Sequence, residues 1–199
     1  MERKSRIKEE FEEIKVILLG NPGVGKTNLI NTSVGYNFVE GNDPTVSATY
    51  LLKTFEINGK KYGLNLWDTA GQERYLRVTK LFFKGSGIVI LVYDITNKKS
   101  FEAMKHWYEM AHDIINNEHI YAVVGNKNDL YLNSEVKEED ANNFAKSINS
   151  KLKIVSAKTQ PKLFVELLED LIVEYNKINI NRRNSVKLKN TKTKRKLFC

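Results

Sequence analysis

The chain has 199 residues, 41% of them hydrophobic and 28% charged, which suits one domain with a buried core and excludes a disordered chain. No apolar run approaches the ~18 residues of a membrane span, and the charged start, MERKSRIKEEFEE, lacks the apolar stretch of a secretory signal, so secretion is not expected. The net charge of +8 sits in one place: residues 182–199 hold 8 Lys and Arg and no acid, and residues 1–181 carry 24 bases against 24 acids. A neutral body argues against a nucleic-acid surface on the globular part. The basic arm alone is open to three readings: a nuclear signal, a nucleic-acid arm or a membrane tether. Cys199 is the single cysteine and closes that arm, so no intrachain disulfide forms and a reducing cytosol fits.

In chain order, Ile14–Leu19 is a short apolar run ended by Gly20 and reads as a buried strand. Lys26–Val34 reads as the helix after it. Thr49–Ile57 and Lys60–Trp67 flank Asn58-Gly59, a strong hairpin signal, so these strands are expected to be antiparallel neighbours. Ile88–Asp94 and Ile120–Gly125 are continuous apolar runs, as strands buried on both faces require. Ser100–Asn116 has a helical apolar period with Ser100 placed to cap it. Glu138–Ile148 is a further helix and Lys151–Val155 a strand. Pro161–Ile178 is the last helix, with Pro161 acceptable in its first turn. Strand–helix alternation predicts an α/β fold: an open, mostly parallel sheet with helices on both faces and ligands at the carboxyl ends of the strands.

Chemistry gathers after those strands. Gly20-Asn21-Pro22-Gly23-Val24-Gly25-Lys26-Thr27 fits GxxxxGK[ST] between a strand and a helix, the setting of a phosphate-binding P-loop, which Asn28 extends into the helix. Lys26 is expected to reach the β- and γ-phosphates and Thr27 to ligate Mg²⁺. Alone, this loop does not separate a GTPase from an ATPase or a nucleoside kinase. Asp68, at the end of the third strand, is placed for the outer shell of the metal; Gly71 lets a backbone N–H approach a γ-phosphate, and Gln72 is placed to orient a water. Asn126-Lys127-Asn128-Asp129 follows another buried strand. A carboxylate there accepts from both N1–H and the exocyclic amine of guanine, a donor pair adenine lacks. Ser156, Ala157 and Lys158 can add a backbone N–H to guanine O6.

GNPGVGKT, Thr45 eighteen residues beyond Thr27, WDTAGQERY, NKND and SAK stand in one register over roughly residues 14–178. In this the chain resembles the Ras superfamily of small GTPases, and Phe82-Phe83-Lys84-Gly85 with Tyr93-Asp94-Ile95-Thr96 makes it most similar to the Rab branch. The resemblance implies a P-loop NTPase fold, six strands with one antiparallel edge strand, on a domain spanning 14–180. A charged extension, 1–13, would precede it and a disordered polybasic tail, 181–199, would follow. It implies GTP/GDP cycling with Mg²⁺ and slow hydrolysis without a GAP. It also implies that Thr45 ligates Mg²⁺ and senses the γ-phosphate, that Phe38 lies edge-on near guanine, and that Lys26, Thr45 and Gln72 serve catalysis. Tyr50, Trp67 and Phe82 match the aromatic triad that Rab effectors read; Trp67 equally suits half-buried core.

The implied partners are a GEF, a GAP, a prenylation escort, a GDI-type chaperone and switch-reading effectors in vesicle traffic, for a monomeric domain with no nucleic-acid partner. Cys199 is neither CaaX nor a double cysteine; it resembles a minority Rab ending, for which geranylgeranylation is expected. One lipid chain with a polybasic arm supplies the two signals that stable anchoring takes, here at the cytoplasmic face of endomembranes in exchange with cytosol. Pro22 withdraws one N–H from the loop and stiffens it, and keeps a second reading open: a GTP-binding scaffold with little turnover.

Overall fold

The strand Ile88–Asp94 is buried at all seven positions, as a run without polar alternation requires, and it lies near the centre of the sheet. The computed structural model describes residues 11–41, 45, 49–69, 83–114 and 119–196, the side chains of 181–196 excepted. Among these residues the elements are β1 (Glu12–Leu19), α1 (Lys26–Ser33), β2 (Thr49–Ile57), β3 (Lys60–Asp68) and β4 (Ile88–Asp94). They continue with α2 (Lys98–Ile114), β5 (Ile120–Asn126), a 3₁₀ turn (Asn128–Asn133), α3 (Glu138–Ser147), β6 (Lys151–Ile154) and α4 (Pro161–Lys196). The strand order is β2-β3-β1-β4-β5-β6. β1, β3, β4, β5 and β6 run parallel, and β2 is antiparallel to β3 at one edge. The α/β class, the six strands and the antiparallel edge are those the sequence implies.

The turn between β2 and β3 has Asn58 at φ 53° and Gly59 at φ 74°, two left-handed residues in succession, as the two-residue hairpin turn demands. Along the buried strands, alternate residues feed opposite faces. Ile14, Val16 and Leu18 join Ile88, Ile90 and Val92 in a core under α1 and α4. Ile17 and Leu19 join Val89, Leu91 and Tyr93 in a second core under α2 and α3. Each fully buried aliphatic contributes roughly 1.5–3 kcal/mol. β1 opens two residues ahead of the expected run, and Phe11 before it packs over Gly63, where a Cβ would collide with its ring.

Two helices differ more from expectation. The helix read from Ser100 starts at Lys98. Asn97 does the capping: its Oδ1 accepts from Ser100 N at 3.1 Å. Ser100 Oγ donates to Asn97 O at 2.7 Å and accepts from Asp94 N at 3.0 Å, locking the helix start to the end of β4. The helix read as Pro161–Ile178 runs on to Lys196, through the arm expected to be disordered. After Pro161 the arm contains no glycine or proline, so no residue interrupts the backbone hydrogen bonding.

Candidate functional site

The carboxyl ends of β1, β3, β4, β5 and β6 share one rim of the sheet, and β1 is where the strand order reverses. There lies a cleft of about 430 Å³. It is lined by the loop after β1 (Pro22, Gly23, Gly25, Lys26, Thr27, Asn28), by Phe38 and Thr45, and by Asn126, Lys127, Asp129, Ala157 and Lys158 after β5 and β6. Residues more than a hundred positions apart therefore meet because parallel strands end together.

The first loop is held open by its own backbone. Gly25 sits at φ 95°, and a Cβ there would strike Asn126 Nδ2. Asn126, 2% exposed, donates from Nδ2 to Val24 O at 2.9 Å and accepts from Ala157 N at Oδ1 at 3.1 Å. One buried amide thus joins three loops. Val24 lies beneath the cleft as core. Lys26 is 6% exposed and donates to the carbonyls of Gly20 and Asn21 at 2.8 and 3.1 Å. Burial pushes its ammonium down to about 8, and the charge of Asp68 opposes that shift. A buried ammonium on acceptors at the head of a helix is a site prepared for an anion.

Beside it three oxygen-bearing side chains converge. Thr27 Oγ1 donates to Asp68 Oδ2 at 2.7 Å and lies 3.1 Å from Thr45 Oγ1, which is 3.3 Å from the same Oδ2. Asp68 Oδ1 is buried with no hydrogen-bond partner among the described residues. Burial raises the pKa of Asp68, against hydrogen bonds from Thr27 and Thr45 and the charge of Lys26. An all-oxygen donor set with an orphaned carboxylate oxygen fits a small hard cation.

At the other end, Ser156 Oγ donates to Asp129 Oδ1 at 2.5 Å, fixing the carboxylate after β5. Lys127 takes a left-handed backbone, φ 69°, and pairs with Asp94 at 2.7 Å. Phe38 is half-buried, with Lys158 Nζ 5.7 Å from its ring centroid. Of the Ser156–Lys158 segment expected to offer a backbone N–H to guanine O6, Ala157 N–H is engaged by Asn126, and the N–H groups of Lys158 and Thr159 turn to Ser156 Oγ at 3.2 and 3.0 Å.

Some expected residues are turned elsewhere. Asn28 donates from Nδ2 to Val39 O at 2.9 Å and accepts from Val39 N at 3.1 Å, so its side chain clasps the segment leading to Thr45. Asn21 Oδ1 accepts from Trp107 Nε1 at 2.9 Å. Gly71, Gln72, Phe82 and Cys199 lie outside the described residues. Tyr50 and Trp67 stack at 5.0 Å, Tyr50 exposed and Trp67 half-buried. Val39, Glu40, Gly41 and Leu130 also line the cleft; Val39 directly follows Phe38 and Leu130 directly follows Asp129, and that adjacency is the local signal they carry.

The glycine-rich loop with its buried ammonium, the all-oxygen donor set and the fixed carboxylate at the end of β5 meet at one cleft, the arrangement of a P-loop nucleotide-binding protein. Residues 15–177 match the Ras family model. The human protein named Ras-related protein Rab-30 is 37% identical over 163 residues, 80% of each chain. The bovine Ras-related protein Rab-21 is 39% identical over 157 residues, 79% of this chain and 70% of its own. The chain belongs to the Ras family, on its Rab branch, and is a small GTPase that hydrolyses GTP to GDP.

Proposed function

We propose that the cleft is the GTP site of a membrane-tethered switch, with the phosphates on Asn21–Asn28 and Gly71, guanine between Phe38 and Lys127, and Asp129 reading its edge. Asn126, Ser156, Ala157 and Lys158 frame that guanine pocket. The observation that carries this reading is the convergence of Lys26, Thr27, Thr45 and Asp129 on one cleft, with Asp68 hydrogen-bonded to Thr27 and Thr45 behind it. Thr27 and Thr45 would hold Mg²⁺, with Asp68 in its outer shell; bound there, the ion neutralises phosphate charge. Lys26 is already held on two carbonyls and meets the β- and γ-phosphates without moving far. Among the described residues, Thr45 is held through hydroxyl contacts to Thr27 and Asp68. Loss of the γ-phosphate then frees its segment, and partners that read it bind one state.

Hydrolysis needs a positioned water, the role proposed for Gln72. Gln72→Leu is expected to leave nucleotide binding intact and to reduce GAP-stimulated hydrolysis by on the order of 10²-fold. Single-turnover assays with and without a GAP check this, and unchanged hydrolysis removes Gln72 from the mechanism. The same assay tests the whole reading: GTP retained intact through prolonged incubation in wild type, with and without GAP, would favour the scaffold.

Regulators and effectors belong to the family in general; a GEF, a GAP, a GDI-type chaperone and a prenylation escort are the proposed set. Tyr50, Trp67 and Phe82 are the proposed effector face, supported by the exposed, stacked Tyr50 on Trp67. No helix among the described residues is long and apolar enough to cross a membrane, and the anchor proposed is a prenyl group on Cys199 beside the basic arm. Cys199→Ser is expected to release the protein from endomembranes into cytosol. Imaging beside wild type, with intact mass of the C-terminal peptide, checks it; wild-type membrane association of the variant rules the anchor out.

A further inference from the structure

Trp107 and Asn21 lie 86 positions apart, one in α2 and the other in the phosphate loop. Trp107 is 3% exposed in the core that holds Phe101, Met104 and Ala111. Apolar neighbours satisfy its ring; its indole N–H still needs an acceptor. That acceptor is Asn21 Oδ1, at 2.9 Å. Asn21 is in turn one of the two residues whose carbonyls hold Lys26 Nζ. Pro22 follows it, and the proline ring restricts Asn21 to extended backbone. The proline and the indole therefore fix Asn21 from two sides, main chain and side chain.

We propose that Trp107 is a positioning residue for nucleotide retention and hydrolysis: through Asn21 it fixes the carbonyl that holds Lys26, and so ties the phosphate loop to α2. The proposal rests on the reading that this loop holds the phosphates of GTP. It gives a core helix a direct mechanical link to the lysine that meets the transferred phosphate. It also accounts for the amide side chain at Asn21, which turns to Trp107 rather than into the cleft.

The test uses the full chain. Trp107→Phe keeps an aromatic ring in the core and deletes the donor; Asn21→Ala deletes the acceptor. Met104→Ala opens a cavity at a fully buried position of the same core without removing the donor. Release of a fluorescent GDP analogue, single-turnover GTP hydrolysis and Tm are measured for each. Trp107→Phe and Asn21→Ala are each expected to speed release about tenfold and to slow hydrolysis at saturating GTP. The double variant is expected to behave like either single one, and Met104→Ala to lower Tm with wild-type release.

Wild-type release in Trp107→Phe, effects that multiply in the double variant, or equal acceleration by Met104→Ala would each overturn the proposal. Where Trp107→Phe does not fold, wild-type release in Asn21→Ala overturns it. Failure of the underlying reading shows differently: the unaltered chain itself would not hold GDP or hydrolyse GTP.

Discussion

Asp129→Ala is expected to weaken binding of GTP and GDP by about 10²–10⁴-fold, the worth of two hydrogen bonds to a charged acceptor. The carboxylate is held in place by Ser156 Oγ at 2.5 Å, so its orientation is set before any base arrives. Asp129→Asn changes the chemistry of the same position. It replaces one acceptor oxygen by an N–H₂ donor, which faces the amine of guanine donor to donor. A purine with a carbonyl at that ring position, xanthine, restores the match, so preference is expected to move from guanine toward xanthine nucleotides. Titration with fluorescent guanine and xanthine nucleotides checks both variants. Unaltered guanine affinity in Asp129→Ala would remove Asp129 from base recognition.

The second large effect has two signs. Lys26→Met is expected to reduce GTP affinity by on the order of 10³-fold, through loss of a charge in a site with little water. In nucleotide-stripped protein the same substitution is expected to stabilise the fold. Burial takes the lysine from 10.5 to about 8, a penalty of about 3 kcal/mol against the charged form, and methionine carries none. The folded-state value lies below the unfolded one, so between about pH 8 and pH 10.5 the unfolded chain binds the extra proton. Stability of stripped wild type therefore rises with pH across that window, and that rise is absent in Lys26→Met. Urea midpoints at pH 7.5 and pH 10 measure it; equal pH slopes in the two proteins would contradict the assignment.

The sequence was most informative where a single periodicity decided the structure. β4 is apolar at six of its seven positions and could only be buried on both faces. Asn58-Gly59 determined the hairpin through its two left-handed residues. Reading was weaker where two residues competed for one role: Ser100 and Asn97 stand three apart, both able to cap, and only the fold shows Ser100 turned back to β4. The site followed the same division. Lys26, Thr27, Asn126 and Asp129 belong to local motifs tied to strand ends, and the cleft assembles them. The clasp of Asn28 on Val39, and that of Trp107 on Asn21, were invisible because each depends on a contact between segments that no local pattern encodes. The length of α4 escaped notice because composition marks charge, and a basic sequence without glycine or proline can still propagate a helix.

The strand order also bears on how the chain reaches its fold. β2 and β3 pair across a two-residue turn, but β1 pairs with β4 through Val16 and Ile88, partners 72 positions apart. During synthesis at about 5–20 residues per second, β1 emerges roughly 4–14 seconds before the strand that covers its other side. For that interval Ile14–Leu19 is a sticky β-prone segment without its neighbour. Glu12, Glu13 and Lys15 stand at its head, and charges so placed act as gatekeepers against association with other nascent chains. The acidic start of the first strand thus serves the birth of the protein as much as its finished sheet.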